Sequence, residues 1–267
     1  MRTLLFLLFI LNCSFLTGQA TQSEKNSVTL NYAYQLGESY KYKKIVSREG
    51  EDFCSFIAIR PLETMTNGDT WYEFSLDSCT YAYNGRLIRT TKKEDLENAK
   101  IHFLYSNFGA KLKTDLLNQK RNGYIRSDDS SDDERFFELS KNPIQFGQTW
   151  NAKKSDEIDS YNTKDKNLKN VLIGIESKNG YECYRIDFSG TSADIAKRDD
   201  YTQIDNGIIS GSIWIEIERK IVIAIESEVM IQNSDYKHPG LSKNSKLYKM
   251  LSSTKASSYK TTVELIE

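Results

Sequence analysis

Residues 207–232, GIISGSIWIEIERKIVIAIESEVMIQ, decide the fold of this chain. Isoleucine recurs at every second position on both sides of the polar triplet at 218–220, a period typical of a half-buried β-strand. One strand over the whole stretch would far exceed the usual length of about 5–6 residues, so the stretch is predicted to fold back as a hairpin with a three-residue loop at 218–220. This loop puts six isoleucines on one buried face. The predicted cross-strand pairs are Ile217 with Ile221, Ile215 with Ile223, and Ile213 with Ile225.

Further hairpins are predicted from five Asn-Gly dipeptides, because these residues tolerate the positive φ angles of tight turns. The dipeptides are Asn67-Gly68, Asn84-Gly85, Asn122-Gly123, Asn179-Gly180 and Asn206-Gly207. Runs rich in β-branched and aromatic residues predict strands around them, at 40–46, 53–59, 70–76, 80–83, 87–91, 171–176, 182–188 and 259–266. Residues 93–119 look partly helical, and 153–170 look like a polar loop. The predicted fold class is therefore mainly β (α+β): a curved antiparallel sheet or half-barrel with one or two short helices.

The first twenty residues have the pattern of a secretory signal peptide. Arg2 precedes an apolar run at 4–11, and small residues stand at Gly18 and Ala20. Asn12 occupies the position before Cys13 where a lipidation signal needs a small residue, so the chain is not predicted to be a lipoprotein. No later stretch reaches the ~18 apolar residues of a membrane span. The mature chain is predicted to be exported, periplasmic or extracellular, with no transmembrane segment.

The mature chain, residues 21–267, is predicted to be a single β-rich domain of two related halves, about 21–135 and 136–267. The segment LGESY at 36–40 matches FGQTW at 146–150, and NGDTWYEF from Asn67 parallels NGYECYRI from Asn179 at nearly the same spacing. Two matched blocks at matched spacing indicate an internal duplication.

Composition argues against several classes of function. The 36 Lys and Arg side chains nearly balance 37 Asp and Glu, with a formal net charge of −1, so no nucleic-acid partner is predicted. When the acidic run at 128–134 is aligned with a calcium-binding loop, the chain lacks the turn glycine and the final glutamate that such a loop needs. It is read as a solvated loop, and no metal or cofactor is predicted. His102 and His238, the two histidines, have no nucleophile or metal-ligand motif beside them.

An exported protein can retain disulfides, and Cys54 with Cys79 is the predicted pair, which leaves Cys183 as a buried thiol. Three unpaired buried cysteines are the open alternative.

Three features together resemble exported envelope proteins of Bacteroidota: the signal peptide, the strand openers Gly37-x-x-Tyr40 and Gly147-x-x-Trp150, and the hairpin at 211–229. Their relatives resemble the lipoprotein-carrier (LolA/LolB-like) superfamily. The hairpin at 211–229 resembles a strand pair of that superfamily that carries a Trp-x-Asp motif, and Glu216 occupies the position of the motif's aspartate. The resemblance implies an open half-barrel with helices across its mouth.

The predicted function is that of a non-catalytic exported envelope protein that binds an apolar ligand, a lipid or acyl chain, in the concavity of the sheet. The residues predicted to line the site are Tyr40, Trp71, Trp150 and Trp214, with Trp214 exposed among carboxylates. One alternative is a structural or interaction protein that docks onto another envelope component through its sheet edges or its Trp214 face. A concavity filled by its own side chains would favour docking. The second alternative is a hydrolase with a dispersed site.

Overall fold

The structure, a computed structural model, describes residues 27–91, 100–115, 136–159, 162–197, 201–237, 242, 244–246 and 257–266. Its strands within these ranges form one open antiparallel sheet. They are β1 (Tyr40–Arg48), β2 (Glu51–Thr64), β3 (Thr70–Tyr83), β4 (Arg86–Thr91), β5 (Lys100–Tyr105), β6 (Lys111–Asp115), β7 (Thr149–Asp159), β8 (Asn162–Lys178), β9 (Tyr181–Lys197), β10 (Thr202–Glu216), β11 (Val222–Lys237) and β12 (Ser257–Leu265).

The strand order is β6-β5-β3-β2-β1-β12-β11-β10-β9-β8-β7, and β4 also pairs with β3. Each half of the chain forms a run of neighbouring antiparallel strands, and the two runs meet where β1 pairs with β12. Tyr42 lies opposite Leu265 in that central pair. The predicted mainly β class and antiparallel architecture are confirmed.

The isoleucine hairpin forms as β10 and β11. Ile213 lies opposite Ile225, as the alternation predicts. A register shift before Ile215 then places that residue opposite Val222 and not opposite Ile223, so the second predicted pair is wrong by one residue. A bulge of this kind adds a residue to one strand and is invisible in a regular alternation.

The turn of this hairpin is longer than the three residues predicted. The Ile217 amide donates to the Glu182 carbonyl of β9 at 3.1 Å, and the Glu216 amide donates to the Ile221 carbonyl at 2.9 Å. Ile217 therefore leaves the ladder, and its predicted pairing with Ile221 is wrong. The neighbouring strand competes for the backbone of the turn.

Asn-Gly dipeptides serve two different purposes in the sheet. Asn179 and Gly180 have φ angles of 52° and 85° in the tight turn between β8 and β9, as predicted. Asn206 and Gly207 lie inside β10 at a register shift, so the predicted turn there is wrong. A Cβ on Gly207 would lie 2.8 Å from the Met230 carbonyl oxygen, so this glycine permits close approach of the adjacent strand.

The predicted helical stretch at 93–119 is wrong over residues 100–115, which form the β5–β6 hairpin. Ile101, Phe103 and Tyr105 are all buried, so period two and not the helical period governs this segment. The predicted polar loop at 153–170 likewise lies mostly in β7 and β8.

Four features singled out from the sequence lie outside the described residues: the signal peptide, Asn122-Gly123, the acidic run at 128–134, and His238. No described helix is long and apolar enough to span a membrane.

The predicted disulfide is not formed. Cys54 lies opposite Thr80, whereas Cys79 lies opposite Ser55, the neighbour of Cys54 in β2. Directly opposed residues share a face and successive residues alternate between faces, so the two thiols project from opposite sides of the sheet. Cys54, Cys79 and Cys183 are all free.

We call the face that buries Tyr42, Ile59 and Ile213 the inner face, and the opposite one the outer face. Two segments without regular strand structure pack on the inner face, the N-terminal segment (28–34) and the strap (136–144). Val28 and Ile144 join them by two backbone hydrogen bonds of 2.7 and 2.9 Å. Buried residues from both segments and from strands of both halves belong to one hydrophobic cluster.

The strap contributes two consecutive phenylalanines to this cluster. Phe136 is 1% exposed, and its ring lies among five aromatic rings of the first half of the chain. Their centroids lie 4.4 Å (Tyr105), 4.9 Å (Tyr72), 5.1 Å (Tyr32), 5.5 Å (Tyr34) and 6.2 Å (Phe74) away. Phe137 packs instead on Phe188 of β9, at 4.7 Å. One end of the concavity is therefore filled by the protein's own side chains.

Buried tyrosine hydroxyls fasten the two segments to each other and the N-terminal segment to the sheet. Tyr32 Oη donates to the Phe137 carbonyl at 3.2 Å and accepts from the Phe137 amide at 3.1 Å. Tyr42 Oη donates to the Val222 carbonyl at 2.9 Å, so in the 2.9 Å contact of the two hydroxyls Tyr34 is the donor. Buried polar groups are costly unless they are paired in this way.

We expect Phe136→Ala to lower the free energy of unfolding by about 3–5 kcal/mol, because it leaves a cavity among packed rings. Urea denaturation followed by circular dichroism measures this change. Phe146→Ala is the control, since Phe146 is 43% exposed and its removal should alter stability by about 0.5 kcal/mol or less. Equal losses in the two variants would show that Phe136 does not anchor the core.

Candidate functional site

The structure does not bring together the four residues predicted to line a ligand site. Tyr40 of β1 and Trp150 of β7 lie on the inner face, opposite Ile59 and Asn170 respectively. Trp71 and Trp214 lie on the outer face, because their neighbours in sequence face the core. A common pocket for all four would have to include both sides of the sheet, so the predicted set is not a single site.

Tyr40 is a structural residue, because it is buried and its hydroxyl forms hydrogen bonds within the chain. It is 4% exposed, its hydroxyl donates to Glu38 Oε2 at 2.8 Å, and the Gln35 amide donates to that hydroxyl at 3.0 Å. Its ring meets Tyr34 edge-on at 4.9 Å. Burial raises the pKa of Tyr40, so the phenol remains protonated and able to donate. The hydroxyl holds the chain that leads into β1.

Trp214 is 5% exposed, which overturns the expectation of an exposed aromatic. Its indole Nε1 donates to the Glu176 carboxylate. The Lys178 ammonium lies 4.1 Å from the ring centroid and the Arg185 guanidinium 5.8 Å. Cations over an indole face are attracted by its quadrupole, so the long side chains of β8 and β9 cover the ring. Trp71 is half-buried, with Lys113 Nζ at 5.6 Å from its ring.

One row of side chains crosses the inner face from β7 to β12, and we call it the polar row. Each member lies directly opposite the next in the strand ladders, so all share one face. The row consists of Trp150, Asn170, Phe188, Gly211, Ser227 and Thr261. Beside its two aromatic members, Trp150 and Phe188, the row therefore presents polar and small residues to the inner face.

Asn170 is the distinctive member of the polar row. It is 1% exposed, and its Nδ2 and Oδ1 have no hydrogen-bond partner among the described residues. Ser227 is 7% exposed, and its hydroxyl also has no hydrogen-bond partner among the described residues. An unpaired buried amide costs about 1–3 kcal/mol, and buried polar groups without partners are uncommon. Asn170 is therefore a position that a polar group from outside the chain would stabilise.

The strap connects the two side chains that flank Asn170. Trp150 Nε1 donates to the Glu138 carbonyl at 3.0 Å, and Phe188 packs against Phe137. Because Trp150 and Phe188 lie on either side of Asn170, the strap backbone bridges the row at this point. Of the four residues predicted from sequence, Trp150 alone belongs to the polar row.

The polar row supplies chemistry for binding. Asn170 offers a neutral donor and acceptor, Ser227 a hydroxyl, and Trp150 and Phe188 apolar walls.

Cys183 lies outside the row, opposite Glu216 of β10. Burial, then the nearby Glu216 carboxylate, raises the pKa of this thiol to about 11, so at neutral pH it is not a thiolate nucleophile. No cluster of three or more His, Cys, Asp or Glu side chains suited to a metal ion occurs in the described parts of the chain.

A charged cluster lies on the outer face, where Glu73 of β3 meets two residues of β5. Lys100 Nζ lies 3.2 Å from Glu73 Oε1, and His102 Nε2 lies 3.4 Å from Oε2. Burial of Glu73 opposes ionisation, but the hydrogen bonds from Lys100 and His102 outweigh it and lower the pKa of the carboxyl group. His102 is therefore a hydrogen-bonding neighbour of the Glu73 carboxylate.

Sequence reasoning missed Asn170, although a signal was present. Leu168, Asn170 and Leu172 stand at alternate positions, and both leucines are buried. That alternation would have placed Asn170 on a buried face, had the stretch not been read as a polar loop. The partners that bury it, Trp150 and Phe188, are distant in sequence, and nothing local identifies them.

No family model matches the chain, and no curated protein matches it. Two solved structures are similar to it. One is a candidate lipoprotein from Parabacteroides distasonis ATCC 8503, 11% identical, with a TM-score of 0.36. The other is a candidate exported protein with a YmcC-like fold from Bacteroides fragilis NCTC 9343, 8% identical, with a TM-score of 0.32. Each likeness covers 90% of this chain and 100% of the other.

We expect Asn170→Leu to raise the free energy of unfolding of ligand-free protein by roughly 1 kcal/mol, because it removes an unpaired buried amide and keeps the side-chain volume. Urea unfolding after refolding from denaturant measures the change. Asn167→Leu is the matched control, since Asn167 is an exposed residue of the same strand. A loss of stability in Asn170→Leu alone would show that the amide is satisfied in the native protein.

We expect Glu73→Gln to weaken the pH dependence of stability in acid. A carboxyl group whose pKa is lowered by folding contributes stability above its ordinary pKa of 4.5, and this contribution is lost as the pH falls below that value. The loss at pH 7 should be at most about 1 kcal/mol, because Lys100 is half exposed and solvent screens the pair. Urea midpoints measured from pH 7 to pH 3 should converge for the two proteins. Parallel curves would contradict this assignment.

Proposed function

We propose that this protein is a non-catalytic exported envelope protein that binds an apolar ligand, a lipid or an acyl chain, on the inner face of its sheet beside the strap. The observation that carries the proposal is Asn170, a buried carboxamide with no partner among the described residues. Export rests on the signal-peptide pattern of the first twenty residues.

The surroundings of Asn170 support an apolar ligand with a polar group. Ligand sites are mostly apolar and contain a few well-placed polar groups. Trp150 and Phe188 supply aromatic walls on either side of the amide, and Leu168 and Leu172 continue the apolar surface along β8. The other end of the concavity is occupied by Phe136 and its neighbours, which moves the proposed site away from Tyr40.

A docking function is the second candidate, and a specific edge of the sheet favours it. The β7–β8 ladder begins with Thr149 opposite Val171, so the last part of β8 extends beyond β7 in the described sheet. Ile173 and Ile175 in that part are 45% and 50% exposed. A strand edge with exposed apolar side chains can pair with an extended segment of another protein. The filled end of the concavity also favours this candidate.

A hydrolase with a dispersed site was the third possibility from the sequence. In the described part of the chain His102 bonds to Glu73, and Cys183 is buried as a neutral thiol. Neither arrangement supplies an activated nucleophile, and nothing else among the residues that the structure describes favours a hydrolase.

We expect native mass spectrometry of mature protein, purified from a periplasm without detergent, to show excess mass that denaturation releases as a lipid. Asn170→Leu should lose most of this mass, because the replacement cannot hydrogen-bond to a polar group. Trp71→Ala is the matched control, since Trp71 lies on the outer face, and it should retain the ligand. A bare polypeptide mass for the unaltered protein would overturn the proposed function and favour docking, for which crosslinking would then identify the partner.

A further inference from the structure

Both residues with unpartnered buried side-chain polar atoms in the described chain, Asn170 and Ser227, belong to the polar row. They are separated by Phe188 and Gly211, so they lie three strands apart, about 14 Å along the sheet. The Phe188 ring lies over Gly211 between them, so one occupant does not reach both groups. The inference therefore rests on Asn170.

Asn170 is the better defined of the two, because a carboxamide specifies its partner more closely than a hydroxyl does. Its oxygen accepts and its nitrogen donates, side by side in one plane. Both atoms are unpartnered among the described residues. The complementary group has an acceptor and a donor in the same relation. A second carboxamide fits this requirement, whereas an ester offers acceptors alone.

The charge around Asn170 selects an uncharged partner. Its neighbours on the inner face are Trp150 and Phe188 across the strands, and Leu168 and Leu172 along β8. All four are uncharged. Burying a carboxylate there without a counter-ion would cost several kcal/mol in general, so an ionised acid is a poor occupant.

Ionisable side chains on the surrounding elements do not alter this conclusion. Asp187 of β9 lies on the outer face, where Arg185 Nε donates to it at 2.7 Å. Lys166 of β8 is four residues from Asn170, about 13 Å along the strand. Glu138 of the strap is an acidic residue that is partly exposed, and it supplies no counter-ion for an anionic ligand.

We infer that the ligand of the polar row is an apolar molecule carrying a carboxamide, which pairs with Asn170 through two hydrogen bonds. Its apolar body lies against Trp150 and Phe188, because the Phe188 ring covers Gly211 and closes the row on the side of Ser227. The inference rests on the proposed function and adds the chemical class of the head group.

The test compares three twelve-carbon probes on delipidated mature protein at pH 7.5: dodecanamide, methyl dodecanoate and sodium dodecanoate. Native mass spectrometry with equimolar competition measures their relative affinities. We expect dodecanamide to bind about tenfold tighter than the ester, the gain from roughly one net hydrogen bond, and dodecanoate to bind no tighter than the ester. Asn170→Leu and Asn170→Ala should each bind amide and ester equally. Asn167→Leu should keep the preference, and circular dichroism checks that every variant is folded.

The outcomes separate the head-group inference from the proposed function. Equal binding of amide and ester by the unaltered protein would overturn the carboxamide inference while leaving an apolar ligand in place. Tighter binding of dodecanoate would do the same, in favour of an anion site. Binding of none of the three probes would overturn both. A preference for amide that survives in both Asn170 variants would show that Asn170 holds a buried water only.

Discussion

Phe136 and Phe137 are adjacent in sequence yet pack into different halves of the sheet, and the other contacts of the inner face follow from this. The Phe136 ring fills the space between β3, β5 and the N-terminal segment, while the Phe137 ring lies on β9. A strap held at both sides keeps the sheet in one shape, because packed rings tolerate little movement. The Tyr32 hydroxyl fixes the strap backbone between them.

The same strap is responsible for the free-energy cost of burying the Asn170 side chain. By joining Trp150 to Phe188 through Glu138 and Phe137, it brings apolar groups over a carboxamide that has no described partner. A protein under selection for stability alone would place an apolar residue there. Retaining an amide at a buried position is the kind of local conflict that often marks a functional site. The filled part of the concavity stabilises the fold, and the polar part is the site that we propose for recognition.

The regular parts of the fold could be predicted from local patterns, and the irregular parts could not. Alternating isoleucines gave the Ile213–Ile225 pair, but the shift before Ile215 depends on contacts with other strands. Residues 100–115 were misread as helical because a short apolar run fits either period. The predicted ligand-binding residues were chosen for their aromatic side chains, and aromatic character does not indicate which face of a sheet a residue lies on. Trp214 is covered by Lys178 of another strand, and Asn170 is flanked by two aromatic residues distant in sequence. Such tertiary contacts cannot be read from single segments.

The central position of β12 has a consequence for how the molecule is built. β12 is the last described strand, but it lies between β1 and β11, and it joins Tyr42 to Leu265, more than 200 residues apart. Until β12 is in place, the two strands that will flank it each present an unpaired edge in the middle of the future sheet. Contacts between such distant residues are slow to form. The order of synthesis therefore delays assembly of the sheet's midline until its final strand is available, and losing that strand would open two edges at once.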